Sequence, residues 1–295
     1  MPENKLCLKG GTRRSCRYSR QAGNPVIEYY AAYLISVGIG ILAAIIGLGG
    51  GFLYVPTLSL IFGLDAKTAI GTSLAIMIFS TVSASFWYHR EGMILYRVAV
   101  ALIVPSMLAT FAGSYLTTLA DSRVLVFIFC IMLTLVSLEM LVPWFRFFRE
   151  IRFGPSFVLS VTVPHQGTQP VNRIWYSHLI FWGAAGGLLS GVTGTSGGAI
   201  FVPALATAGI PVHYAVATAM FAAILVSITG AASHVGLGQV AWPFAAVYGI
   251  GAATGTFLGT YLATRVHEEQ IRRIFGILLL CVAALMFQQR VLTGM

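Results

Sequence analysis

Charge is what this sequence has least of. Only 9% of its 295 residues are Asp, Glu, Lys or Arg, against about 25% in an ordinary soluble domain. So few charges cannot cover the surface of a water-soluble fold of this length, which excludes a typical cytosolic enzyme. The same poverty, with 57% apolar residues, excludes intrinsic disorder. Acids are scarcer still, nine in all, and Glu139 is the one carboxylate well inside an apolar run. A chain of buried carboxylates relaying protons is therefore not expected. Cysteine is scarce too. Cys7 and Cys16 lack the close-spaced partners of a zinc site, and Cys130 and Cys281 sit in apolar runs, so neither a metal, a cofactor nor a disulfide is expected.

What is present is apolar sequence in long stretches. They fall at about 29–62, 68–88, 98–119, 123–145, 177–208, 213–234, 241–264 and 271–288. They do not alternate polar with apolar, as membrane β-strands would. The expected fold is an all-α polytopic membrane protein of about eight transmembrane spans. Six stretches have the length of one crossing. The stretches 29–62 and 177–208 would make straight helices of about 50 Å against a bilayer core of about 30 Å, and each carries a glycine cluster followed by a proline. Both helices should be broken, steeply tilted or re-entrant.

The net charge is +9, and six of the basic residues lie in the first 25 positions. Nucleic acid is one partner such a tail could have. Membrane topology makes the same demand, because cytoplasmic segments carry excess Lys and Arg, and it is the reading adopted. With each long stretch treated as one broken crossing, thirteen Lys and Arg fall on the side of the tail and five on the other. That count favours both termini in the cytoplasm of a multi-pass inner or plasma membrane protein. If each long stretch were instead a hairpin returning to its own side, the tail and the central loop would lie on opposite faces, which the basic tail argues against; crossing and re-entrant forms both stay open. The expected organisation is a basic, poorly ordered tail over 1–28, a first transmembrane unit over 29–145, a cytoplasmic linker over 146–176 and a second unit over 177–290.

The two units read as repeats. Residues 47–58 (GLGGGFLYVPTL) and 194–205 (GTSGGAIFVPAL) are identical at six of twelve positions, including both glycines of the Gly-Gly pair and the proline. The match continues, after a one-residue gap, through Gly63 with Gly209, Thr72 with Thr218 and Gly92 with Gly238. Residues 108–118 then align with 254–264. Internal repeats with paired, glycine-interrupted helices recur in secondary transporters, which bind substrate near the midplane where the repeats meet.

A helix that resumes after a glycine break presents free N–H groups and the positive end of its dipole, a site suited to an anion. The candidate substrate-binding residues are Gly47, Gly49, Gly50, Gly51 and Pro56 in the first copy, and Gly194, Thr195, Ser196, Gly197, Gly198 and Pro203 in the second. Thr72, Ser73, Thr218 and His234 stand on the helices that follow. Each has a blander role available. Gly47/Gly51 and Gly194/Gly198 are GxxxG pairs that could serve close helix packing, the hydroxyls could cap backbone, and a histidine at a span end is commonly an interface residue. Gly251, Gly255 and Gly259, four apart with no break, read as packing alone.

The paired motifs GLGGGFLYVPTL and GVTGTSGGAIFVPAL, the paired four-helix halves and the basic loop of His89, Arg90 and Arg97 resemble the TauE/SafE sulfite exporter family over roughly residues 30–290. The resemblance implies a transporter of a small sulfur-containing anion (sulfite, sulfoacetate or a related organosulfonate) held between the two glycine motifs. Thr195-Ser196 departs from a longer glycine run. Two other readings compete. Gly194-Thr195-Ser196-Gly197 matches GxSG, as in rhomboid-like intramembrane serine proteases, with His234 as base. A non-transporting membrane partner is the third. The expected partners are the anion and the lipid bilayer, with a homo-oligomer left open.

Overall fold

The computed structural model describes residues 25–47, 49–142, 158–161, 171–263 and 268–292. The basic tail up to residue 24 and most of the 146–176 linker lie outside them. The helices are α1 (Pro25–Ile46), α2 (Gly51–Pro56), α3 (Ala66–Arg90), α4 (Tyr96–Leu119), α5 (Ser122–Leu141), α6 (Tyr176–Thr193), α7 (Gly198–Thr207), α8 (Val212–Gly236), α9 (Trp242–Ala263) and α10 (Glu268–Met286). Helix α2 runs on through a π-helical turn, Thr57–Ile61. A short antiparallel ribbon, β1 (Val158–Val161) with β2 (Val171–Trp175), lies between α5 and α6, pairing Val158 with Trp175 and Val161 with Val171.

Five described helices are long and apolar enough to cross a bilayer: α1 from Tyr29, α3, α4, α5 and α8. Their outward faces carry exposed Val100, Val104, Leu108, Phe111 and Tyr115 on α4 and Phe127, Ile131, Leu135 and Leu138 on α5. Such stripes suit lipid and would be a liability in water.

Close crossings of small residues hold the helices together. A Cβ on Gly251 or Gly259 of α9 would stand 2.8 and 2.5 Å from the carbonyl oxygens of Tyr33 and Ile41 on α1, and Gly255 abuts Val37 in between. The packing role expected of these three glycines is what they perform. Gly183, Gly187 and Gly191 of α6 abut Leu102, Ser106 and Thr110 of α4 in the same way. There Ser106 Oγ donates to the Gly183 carbonyl at 2.8 Å and Thr110 Oγ1 to that of Gly187 at 3.0 Å. The opening helix of each half thus packs on a helix of the other half.

These registers set the helix directions. Tyr33, Val37 and Ile41 meet Gly251, Gly255 and Gly259 in rising order, so α1 and α9 are parallel. Phe79 meets Gly249, Ser83 bonds the Ala253 carbonyl at 2.9 Å and Trp87 stacks on Phe257, so α3 runs with them. Helices α4 and α6 are parallel by the pairs above, and α4 runs with α8, since Leu95 meets Thr218 and Thr110 meets Gly230. Between the sets direction reverses: Gly71 lies against His234 and Leu74 against Gly230. Ser137 likewise bonds the Gly276 carbonyl at 2.6 Å while Phe127 meets Phe287, so α5 and α10 are antiparallel. Helices α1, α3, α5 and α9 point one way; α4, α6, α8 and α10 point the other.

One expectation is corrected by this. With α1 and α3 parallel, the chain turns back between them, so each long apolar stretch does not act as one broken crossing. Helix α1 begins at one end of the bundle and α5 finishes at the other. The segments 1–28 and 146–176 lie almost wholly outside the described residues, but the helix ends they leave from are opposite ones, whereas α10 returns to the end where α1 begins.

Candidate functional site

Glycine chemistry builds the two breaks. Helix α1 stops at Ile46, and Gly47, Gly49 and Gly50 follow with φ of +78°, +77° and +86°. Helix α6 stops at Thr193, and Gly194, Ser196 and Gly197 follow with φ of +77°, +24° and +75°. Gly50 and Gly197 are the N-cap residues of α2 and α7. Two constraints demand glycine there. The backbone is left-handed, which L side chains rarely adopt, and an aromatic ring four residues on folds back over the site. A Cβ on Gly50 would stand 2.7 Å from the Tyr54 ring and one on Gly197 2.6 Å from that of Phe201. Ser196 keeps a positive φ without being glycine, a strained state that costs about 1–3 kcal/mol.

The breaks meet. A Cβ on Gly51 would stand 2.7 Å from the Gly194 carbonyl oxygen and 2.8 Å from the Thr195 Cα. One on Gly49 would stand 3.0 Å from Ser196 Oγ. The two interruptions therefore touch backbone to backbone, with Gly198 opening α7 beside them. Helix α3 lies against both. Ser73 Oγ donates to the Gly194 carbonyl at 2.5 Å, Ser80 Oγ to the Gly49 carbonyl at 3.3 Å, and Met77 between them reaches Gly49 and Gly51. Met77 is near the middle of the 25-residue α3, so the meeting point lies about halfway along a membrane-length helix.

The packing around the breaks is reciprocal. Gly47 lies against Val216 of α8, and Gly194 against Ile70 of α3. Among the described residues, the side chains nearest the breaks, which include Tyr54, Ile70, Ser73, Met77, Phe201, Val216 and Met220, are all uncharged. Ser196 is fully buried, and its hydroxyl has no hydrogen-bond partner among the described residues. The Thr195 hydroxyl pairs with that of Thr193 at 2.9 Å.

Some expected residues stand elsewhere. The Thr72 hydroxyl accepts the N–H of Ala241 at 2.9 Å, just before α9, and that of Thr218 accepts the N–H of Leu95 at 3.1 Å, just before α4. Both cap the start of a helix. His234 is buried, with Nδ1 2.8 Å from Gln239 Oε1 and Nε2 3.2 Å from the Gly191 carbonyl. It forms no hydrogen bond with Ser196, so the Ser–His pair that a rhomboid-like mechanism needs is not assembled. Pro56 and Pro203 stand about a turn and a half along α2 and α7 and are not among the atoms nearest the breaks. They interrupt the helix ladder instead. After Pro56 the Thr57 hydroxyl donates to the Leu53 carbonyl at 2.8 Å and α2 loosens into its π turn. Met77 and Met220 gave no sequence signal, being apolar residues in apolar helices. Ser80 is one of several hydroxyls on its helix, so its position alone does not single it out.

Comparison with known proteins identifies the family. The sulfite exporter TauE/SafE profile matches residues 32–286. The chain is 29% identical over 267 residues to "Probable membrane transporter protein YunE" of Bacillus subtilis, covering 85% of this chain and 96% of that protein. A "Probable membrane transporter protein" of Xylella fastidiosa is 29% identical over 254 residues, covering 83% of this chain and 89% of that protein. One from Methanocaldococcus jannaschii is 26% identical over 256 residues, covering 81% and 88%. No solved structure matches. This multi-pass, helical membrane chain belongs to the sulfite exporter TauE/SafE family of membrane transporters.

Proposed function

We propose that the protein is a secondary transporter of a small sulfur-containing anion, such as sulfite, sulfoacetate or a related organosulfonate, across the inner or plasma membrane. The substrate is held where the two glycine breaks meet. The observation that carries this reading is the contact of Gly49 and Gly51 with Gly194, Thr195 and Ser196 at mid-helix depth, beside a buried hydroxyl that lacks a partner. An oxyanion there takes up N–H groups and hydroxyls without any Lys or Arg. Two repeats complete the reading, each of three full crossings and one stretch that turns back at its glycine break, in place of four crossings apiece. The second repeat runs inverted with respect to the first, so α1 to α5 correspond to α6 to α10. Support comes from the reversed directions and from aligned glycines that share a conformation, Gly63 with Gly209 at φ +65° and +91° and Gly92 with Gly238 at +66° and +68°. Inverted repeats let one half rock against the other around a fixed central site. The touching breaks fit a closed state, from which they must part to admit substrate.

The test is a thermal-shift panel on purified protein with sulfite, sulfate, thiosulfate, sulfoacetate, taurine and chloride at matched ionic strength. A ligand at 100 times its dissociation constant stabilises by about 2.7 kcal/mol. Selective stabilisation by a sulfur oxyanion, lost in Gly197→Val, is expected. No shift with any anion would sink the assignment.

A further inference from the structure

The two breaks differ in chemistry although they match in shape. At the second, positions 190, 193, 195 and 196 are Ser, Thr, Thr and Ser; the aligned positions 43, 46, 48 and 49 of the first are Ala, Ile, Leu and Gly. Each hydroxyl has one proton to donate. Thr193 gives its own to the Leu189 carbonyl at 2.6 Å, and Thr195 pairs with Thr193 at 2.9 Å. Ser190 and Ser196 are fully buried and their hydroxyls have no hydrogen-bond partner among the described residues. Ser196 Oγ faces the first break, 3.0 Å from where a Cβ on Gly49 would stand. The ten-residue α7 starts directly after it. Opposite lie Gly49, Met77 and, 3.8 Å from the same point, Met220. Buried donors left unpaired are costly, so they call for an acceptor-rich guest. Glycine and thioether surfaces accept an apolar one.

We infer that the breaks have unequal roles. The second break, with Ser190, Ser196 and the start of α7, seats the charged oxygens. The first break, with Met77 and Met220, covers an uncharged end. The site then takes a monoanion with one small apolar substituent, a short alkyl sulfonate, ahead of any dianion. Desolvation of a single centre rises with the square of its charge, so sulfate pays about four times as much as a monoanion and sulfoacetate must bury a second charged group, in a site whose described side chains offer no countercharge. This rests on the anion-transport reading above and narrows it.

The experiment is flux by the full chain in proteoliposomes, with methanesulfonate, sulfate, sulfoacetate and acetate as probes at matched ionic strength. Methanesulfonate is expected to have a KM at least tenfold below that of either dianion and below that of planar acetate. Ser190→Ala and Ser196→Gly should each raise its KM about tenfold, whereas Thr134→Ala on α5 should not. Ser196→Gly restores the residue of the first copy and relieves the positive φ, so an unchanged or higher melting temperature separates lost binding from lost folding. Methanesulfonate flux with unaltered KM in both serine variants would overturn the seat. A dianion or acetate preferred over methanesulfonate would overturn the charge and shape selection, while leaving anion transport standing. Flux of none of the four would overturn both readings together.

Discussion

Ser73 and Gly194 join the two halves: the serine hydroxyl on α3 donates to the glycine carbonyl at 2.5 Å, across 121 residues of sequence. The position aligned with Ser73 is Ala219, so this tie has no equivalent on α8. With Ser80 bonded to Gly49, α3 holds both breaks by hydroxyls. Ser73→Ala should lower stability by about 1 kcal/mol and alter the flux rate more than the KM, because it loosens the second break without removing a donor aimed at substrate. Flux equal to wild type would show that the tie is not used in the transport cycle.

Gly50→Val and Gly197→Val should each abolish flux while the protein still inserts. Left-handed backbone and the rings of Tyr54 and Phe201 both exclude a β-branched side chain. Gly238→Ala is the contrasting variant. Its φ is also positive, but a Cβ there meets nothing within 4 Å, so it should cost about 1 kcal/mol and keep flux. Measured flux and melting temperature on the three variants decide it; wild-type flux in a folded Gly197→Val protein would remove the breaks from the site.

Thr72→Val and Thr218→Val should behave alike. Each removes an acceptor from the N–H at the start of a helix, a loss of about 1 kcal/mol, with KM unchanged. Chemical unfolding and transport kinetics on both variants provide the check. A large rise in KM would return these threonines to the substrate site.

Labelling settles the face of the linker. In a background with the other cysteines replaced, Cys7 in the tail and a cysteine introduced by His165→Cys should react with an impermeant thiol reagent from opposite sides of sealed vesicles. Reaction from one side would contradict the helix directions read from α1, α3 and α5.

Much of the architecture was legible in the residues. The apolar stretch 68–88 became α3 at Ala66–Arg90, and 213–234 became α8 at Val212–Gly236, because in a bilayer backbone groups must be satisfied within the helix itself. The glycine pairs at 47 and 194 and at 50 and 197 foretold the breaks, since few other residues tolerate a left-handed backbone. Direction was not legible. Whether the chain crosses or turns back after Gly47 depends on which helix α1 packs against, and that partner, α9, lies more than 200 residues away. Charge counting depends on the same packing, since it presupposes the number of crossings. Hydroxyl roles were hidden as well: Thr72 and Ser73 are neighbours in sequence, yet one caps α9 and the other holds the second break, as their side chains leave the helix about 100° apart. Local chemistry therefore determined where helices form and where they break, because both follow from backbone hydrogen bonding and glycine conformation. Only tertiary packing decided which breaks touch, which hydroxyls remain unpaired and which way each helix runs, because those depend on partners distant in the chain.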